Sequence, residues 1–247
     1  MIHIAWYMLY IAGTPIGNLE DISLRALRIL GEVDFILCED TRVTKKLLEH
    51  YKINTPTISY HQHSDMKKVG YILGLLKEGK SLALVSDAGT PGISDPGGKL
   101  VQAVIDEFGD DIKIEAVPGP SATTAALSIS GIPTDKYIFM GFPPHKKGRQ
   151  TFLEKIATSE FPVVIYESKH RIIKFLEEIE NLNKRIEKEN EELEKKERKR
   201  PVTSVVVCRE LSKMHETVYR GDIKKIIEKI KNHKDDQKGE FVVIIGK

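Results

Sequence analysis

Apolar residues in this chain come in short runs separated by longer stretches in which they recur every three or four positions. The short runs are Leu9 to Ala12, Phe35 to Cys38, Thr57 to Tyr60, Leu82 to Val85 and Ile112 to Val117. Each is bounded by turn residues and has the length of a buried strand. Between them the pattern is helical. Asp21 is placed to cap a helix carrying Leu24, Leu27 and Leu30. Ser64 is placed to cap another carrying Val69, Ile72 and Leu76, which Gly79 ends. Strand and helix in alternation predict βαβ units and a mostly parallel sheet covered on both faces.

The rhythm breaks at "VPGPSA", residues 117–122, where two prolines around a glycine make a stiff turn. This turn divides the chain into an N-terminal α/β domain, 8–117, and a C-terminal α/β domain, 118–247. Beyond it lies a small-residue helix, Ser121 to Ser130. Strands follow at Tyr137 to Met140, Val163 to Tyr166, Val202 to Cys208, Thr217 to Arg220 and Phe241 to Ile245. The segment 181–200, "NLNKRIEKENEELEKKERKR", reads as a solvated helical extension with charge pairs at helical spacing.

Composition narrows this picture only a little. A chain of 247 residues with 40% hydrophobic and 30% charged residues is globular and large enough for two cores. No apolar run approaches a membrane span. The opening "MIHIAWYMLYIAG" lacks the basic start and cleavage site of a signal peptide. Cys38 and Cys208 both sit in apolar runs, as buried free thiols of a reducing compartment do. A net charge of +2 neither demands nor excludes a polyanionic partner.

Chemistry belongs at the carboxyl ends of the strands, where ligands of open parallel sheets bind. Those ends read "GTPIGN", "CEDTR", "YHQHSD", "SDAGTPGISDPGG" and "PGPSA". Glycine-rich loops let backbone groups approach a ligand closely. "GTPIGN" is neither a dinucleotide fingerprint nor a Walker A loop, and no nucleophile elbow or zinc motif appears. His61 and His63 stand close together without a zinc motif around them, so no metal site is expected there. Asp87 and Asp95 are placed to cap a helix or brace the fourth loop, with Asp87 also a candidate for orienting substrate or donor.

The motifs "YIAGTPIGNLEDIS", "CEDTRVTKKLL", "LVSDAGTPGISDPGG", "VPGPSATTAALSISGIPTDKYIFMGFPP", "YESKHR" and "CRELSKMHE" together resemble the small-subunit ribosomal RNA methyltransferase I family. That family belongs to the tetrapyrrole-methylase-like S-adenosylmethionine enzymes. The resemblance begins near Met8 and runs to "KGEFVVII"; residues 1–7 precede it. It implies two α/β domains with the methyl donor, S-adenosylmethionine, in the cleft between them. It also implies a homodimer in the cytoplasm that methylates the ribose 2′-hydroxyl of a cytidine in the decoding region of small-subunit rRNA. The positions matching those where the wider group holds its donor are Pro15, Ala88, Gly89, Thr90, Ile93, Ser121 and Ala122. Tyr166, Glu167, Glu210 and Leu211 would close the pocket.

Activating a 2′-hydroxyl calls for a proton acceptor. Lys169 and Glu210 are the catalytic candidates because both follow second-domain strands; Glu167 is an alternative. Phosphate contacts are expected from Arg42, Lys146, Lys147, Arg149 and Arg171, and base stacking from Phe142 or Tyr60. The rival within the same fold is a tetrapyrrole methyltransferase, disfavoured because "GTPIGN" replaces the "G-x-G-P-G-D" that such enzymes resemble in the first loop. A catalytically silent ribosome-binding protein would have no need to keep every donor loop.

Overall fold

All five strands of the first half run parallel: β1 (Tyr7–Ala12), β2 (Phe35–Cys38), β3 (Thr57–Ser59), β4 (Ser81–Leu84) and β5 (Ile112–Val117), in the spatial order β3-β2-β4-β1-β5. Parallel neighbours need a crossover, and four helices supply it: α1 (Leu24–Glu32), α2 (Thr41–His50), α3 (Met66–Lys77) and α4 (Gly98–Phe108). The computed structural model describes residues 7–61, 64–95, 97–192 and 201–246. The chain divides into two compact units, 1–121 and 122–247, at a point inside the "VPGPSA" turn.

Strand residues of the first unit alternate between two cores, one on each face. Leu9, Leu37, Leu82 and Leu84 pack with Ile72 and Leu76 of α3 and Leu100 and Val104 of α4. Ile36, Cys38, Ala83 and Val85 pack with Ala26, Ile29 and Leu30 of α1 and Leu48 of α2. Burial on both faces explains why β2 and β4 read as continuous apolar runs.

The helix caps differ from the sequence expectation by one or two residues. Ser23, not Asp21, caps α1, its hydroxyl accepting from Ala26 N–H at 3.1 Å. Asp21 instead closes a 3-10 turn over Leu19–Asp21. Asp65, not Ser64, caps α3, because the Ser64 hydroxyl accepts from His61 N–H at 3.0 Å.

The second unit is mixed. Its strands are β6 (Ile138–Gly141), β7 (Val163–Ser168), β8 (Ser204–Arg209), β9 (Thr217–Gly221) and β10 (Glu240–Gly246), in the order β6-β7-β10-β8-β9. Only β6 and β7 pair in parallel; β10 runs antiparallel to β7 and β8, and β9 to β8. The helices are α5 (Ala122–Ser130), α6 (Arg149–Thr158), α7 (Ile172–Glu191) and α8 (Ile223–Asn232). One core joins Ile165, Val207 and Val243 of the sheet to α7 and α8. Cys38 and Cys208 are buried free thiols; burial pushes both thiol pKa values up, Cys208 to about 11. Among the described residues no helix is long and apolar enough to cross a membrane.

The charged segment after residue 180 is less solvated than its composition suggests. α7 buries Ile172, Phe175, Leu176, Ile179, Leu182 and Ile186, so its apolar stripe continues beneath the charges. Asn183 then grips the returning chain. Its amide donates to Val202 C=O and its carbonyl accepts from Val202 N–H, both at 2.8 Å. Val202 is thereby taken up before β8 starts at Ser204. Residues 193–200 lie outside the described residues. Asn183→Ala leaves both backbone groups of Val202 without this partner. It is expected to cost about 1–3 kcal/mol, read as a lower urea midpoint at unchanged m-value.

Candidate functional site

The loops at the carboxyl end of the first sheet are stitched to one another by backbone. Gly13, after β1, donates to Val117 C=O of β5 at 3.1 Å. A side chain on Gly13 would meet the Gly119 Cα at 2.8 Å, and one on Gly119 would meet the Gly13 carbonyl oxygen at 2.8 Å. Neither position admits any residue with a Cβ unless the backbones part. One residue further on, Thr14 and Gly89 exchange two backbone hydrogen bonds, N–H to O at 2.9 and 3.1 Å. The buried Thr14 hydroxyl donates to Ser86 C=O at 3.0 Å. Ser86 Oγ sits 3.0 Å from Ala88 C=O and 3.2 Å from Gly89 C=O. Thr90 Oγ1 reaches Pro120 C=O at 3.4 Å. The loops after β1, β4 and β5 thus form one rigid rim.

This places most of the expected donor-binding positions and changes the part some can play. Pro15 is buried and lines a cavity of about 220 Å³ with Leu19, Val43, Lys46, Leu47 and Asp87. Ala88 is exposed and Ile93 is 51% exposed on the same loop. Gly89 lies on the rim itself, and its N–H and C=O both serve the Thr14 bridge. It holds the rim rather than offering those groups outward. Ser121 ends the first unit and Ala122 opens α5. Gly13, Thr14, Ser86 and Gly119 were not singled out from the sequence; the glycine following each of two strands was the available signal.

Beside the rim lies an acidic edge. The connection leaving β2 runs outward to β3, whereas that leaving β4 runs the other way to β5. Ligands of such sheets bind where connections diverge like this. A cavity of about 470 Å³ opens there, lined by Glu39, Asp40, Thr41, Arg42, Ser59, His61 and Asp87. Asp40 caps α2 and is gripped by Arg42, whose Nε and Nη2 donate at 3.0 and 2.6 Å. These hydrogen bonds hold the Asp40 carboxyl down at about 2. Asp87 accepts from Asp40 N–H at 3.1 Å, so it braces the loops while remaining exposed. Asp95 behaves oppositely: burial first, then the negative charges of Glu39 and Asp87, push it up to about 6. Arg42 remains largely exposed, but a phosphate must compete with Asp40 for it. Tyr60 is only 4% exposed and cannot stack on a base. His63 lies outside the described residues.

In the second unit, β6, β7 and β8 all point the same way, so the residues at their carboxyl ends share one edge of the sheet. Tyr166 shares a 2.7 Å hydrogen bond with Thr123. Glu167, 1% exposed, accepts from Ser168 N–H at 2.7 Å and pairs with Arg171 at 2.8 Å. Lys169 is exposed on the turn after β7. Leu211 is buried.

Three expected roles do not fit this geometry. Glu210 Oε1 accepts from Lys213 Nζ at 3.0 Å and Glu240 N–H at 2.9 Å. Burial works to raise its pKa, but these donors and the lysine charge win and hold it below the ordinary value. A carboxylate so stabilised is a poor proton acceptor; it braces the start of β10. Arg149 is 9% exposed, forked onto Glu178 at 2.6–3.0 Å and donating to Pro144 C=O at 2.9 Å. Arg171 donates to Pro143 C=O at 3.0 Å besides pairing with Glu167. Neither guanidinium is offered to a phosphate. Lys146 and Lys147, by contrast, are exposed on the loop before α6.

Residues 8–227 match the family model described as Tetrapyrrole (Corrin/Porphyrin) Methylases. The chain is 42% identical over 240 residues to a protein of Hydrogenobaculum sp. named Ribosomal RNA small subunit methyltransferase I, covering 97% of this chain and 95% of that one. It is 40% identical over 239 residues to the protein of that name from Thermotoga maritima, covering 96% and 97%. The solved structure of a cobalamin biosynthetic enzyme, cobalt precorrin-4 methyltransferase, superposes with a TM-score of 0.68 at 20% identity, covering 100% of this chain and 97% of that one. A likeness of that kind speaks for the fold alone. With a parallel sheet in the first unit, a mixed one in the second, a rim of stitched glycine loops and these relatives, the chain belongs to the tetrapyrrole methylase family and, within it, to the ribosomal RNA small subunit methyltransferase I group.

Proposed function

We propose that this methyltransferase uses S-adenosylmethionine to methylate the ribose 2′-hydroxyl of a cytidine in the decoding region of small-subunit rRNA, as a cytoplasmic homodimer. The observation that carries the reading is near-full-length similarity to relatives named for small-subunit rRNA, together with a rim whose every expected loop is intact. The donor supplies a methyl group on a positively charged sulfonium. Pro15, Ala88, Thr90, Ile93, Ser121 and Ala122 would hold it, with Tyr166, Glu167 and Leu211 contributed by the second unit. The acidic edge suits such a ligand, since Asp95 has the negative charges of Glu39 and Asp87 beside it. Alignment of oxygen, carbon and sulfur is the main thing the protein provides. Lys169 is the side chain we assign to the departing proton. Lys146, Lys147 and Arg42 would meet phosphates, and Asp87 would orient the substrate.

The deciding assay incubates the protein with labelled S-adenosylmethionine and small subunits lacking the modification, then identifies the labelled nucleoside by mass. A single 2′-O-methylcytidine is expected, and Lys169→Met should lower its rate of formation while sparing donor affinity. Label in a tetrapyrrole and none in RNA would replace this reading. A monomer in sedimentation analysis would remove the dimer.

Gly119→Ala forces a methyl group against the Gly13 carbonyl at the 2.8 Å approach and pushes two rim loops apart. Donor affinity by calorimetry should fall at least about tenfold; unchanged affinity would dissociate the rim from donor binding.

Asp95 gives a pH test. Its carboxyl is raised from 3.8 to about 6, so the folded state holds a proton that the unfolded state has released. Stability therefore falls as pH climbs through that window. Binding of a cationic donor favours the ionised form, so donor affinity should rise with pH through about 6 and then level off. Asp95→Asn should flatten both slopes, and an affinity profile unchanged by that substitution would place the donor away from this edge.

A further inference from the structure

Phe142 is 53% exposed, yet its ring has a partner and the backbone on both sides of it is held. β6 reaches it through a bulge: Phe139 pairs with Val164 and Gly141 with Ile165, leaving Met140 as the extra residue. Gly141 sits at φ +64, the left-handed conformation that completes such a bulge and re-aims the next side chain. The Phe142 ring then meets Tyr166 edge-on, with centroids 5.5 Å apart, and Tyr166 meets Phe139 at 5.0 Å. Thr123 anchors the Tyr166 hydroxyl.

The chain that follows is held by its carbonyls. Arg171 donates to Pro143 C=O and Arg149 to Pro144 C=O. Each arginine is itself secured by a glutamate, Glu167 or Glu178, and Arg149 also lies over the Phe175 ring at 6.0 Å. Only then come the exposed His145, Lys146 and Lys147, before α6 begins at Arg149. A single exposed aromatic residue is ordinary. One held rigidly by a bulge, two rings and two arginine clamps, with two lysines close by, is what stacking on an unpaired base requires.

We propose that residues 141–147 form a preformed platform for one unpaired RNA base. The base stacks on Phe142, Lys146 and Lys147 meet the flanking phosphates, and Arg149 and Arg171 are positioning residues that fix the platform without touching RNA. The proposal rests on the reading of RNA as substrate and adds where and how a base is held. Ordering the platform in advance spares the entropy of arranging it on binding.

The test uses the full chain and a short single-stranded oligocytidylate, with fluorescence anisotropy as the readout and circular dichroism and melting as fold controls. Phe142→Ala should weaken binding about tenfold, while Phe142→Trp should retain it. The salt dependence should be unchanged by Phe142→Ala and shallower in Lys146→Gln with Lys147→Gln. Arg171→Lys keeps a charge beside Glu167 but loses the fork that reaches Pro143. It should weaken binding as Phe142→Ala does, with no further loss in the double variant, because both act on one platform. Additive losses, with a shallower salt slope in the charge-removing Arg171→Gln, would mean that the arginine contacts phosphate, and would overturn the positioning role. Unchanged affinity in Phe142→Ala would overturn the platform. If the unaltered chain ignores the oligonucleotide yet methylates subunits, the platform falls and the RNA reading stands; if it does neither, both fall.

Discussion

Two glycines that leave no room for a side chain between them hold the first unit's working end together. Gly13 and Gly119 belong to loops at the ends of neighbouring strands, and their backbones approach so closely that a Cβ on either would collide with the other. That approach sets the Thr14–Gly89 exchange one residue further along, and the exchange draws in Ser86 and the loop that carries Asp87. The rim is therefore built of main chain, whose geometry has few soft degrees of freedom. Side chains decorate it, and the acidic residues among them are left to set its electrostatics.

Much of the framework was legible in the sequence because it depends on local pattern. The β2 and β4 runs are continuous because helices cover both faces, and their limits come close to the apolar residues that define them. The helix starts were harder. Asp21 and Ser23, or Ser64 and Asp65, are equally good caps by residue type. Which one serves depends on where the preceding turn ends, and a 3-10 turn at Leu19–Asp21 consumed the first candidate. The "NLNKRIEKENEE" stretch misled through composition: Leu182 and Ile186 keep the period of the α7 stripe, and two residues in the right register outweigh the charges around them.

The site was legible as a set of loops and not as a set of roles. Arg171 and Glu210 stand in motifs that follow strands and Arg149 opens α6 after the basic loop, but each spends its charge inside the protein. Arg171 could have been suspected from Glu167 four positions earlier. Arg149 could not, since Glu178 is on a different helix and only the tertiary fold joins them. A charged residue in a motif is as readily the support of a contact as the contact itself, and partial burial distinguishes the two. Lys146 and Lys147, with nothing comparable around them, stay available to a ligand.

The strand order has a consequence for how the chain is made. β1 lies between β4 and β5, with Met8 paired to Ser81 and Tyr7 to Ile112. The first of these five strands to be synthesised is thus among the last to find its neighbours. Its apolar sequence must wait, unpaired, until nearly the whole first unit has been synthesised, and contacts so distant along the chain close slowly. A strand in that position is exposed to wrong partners while it waits. Nascent-chain arrest before residue 112 would leave β1 with an open side, and arrest before residue 81 would leave it with neither of its neighbours.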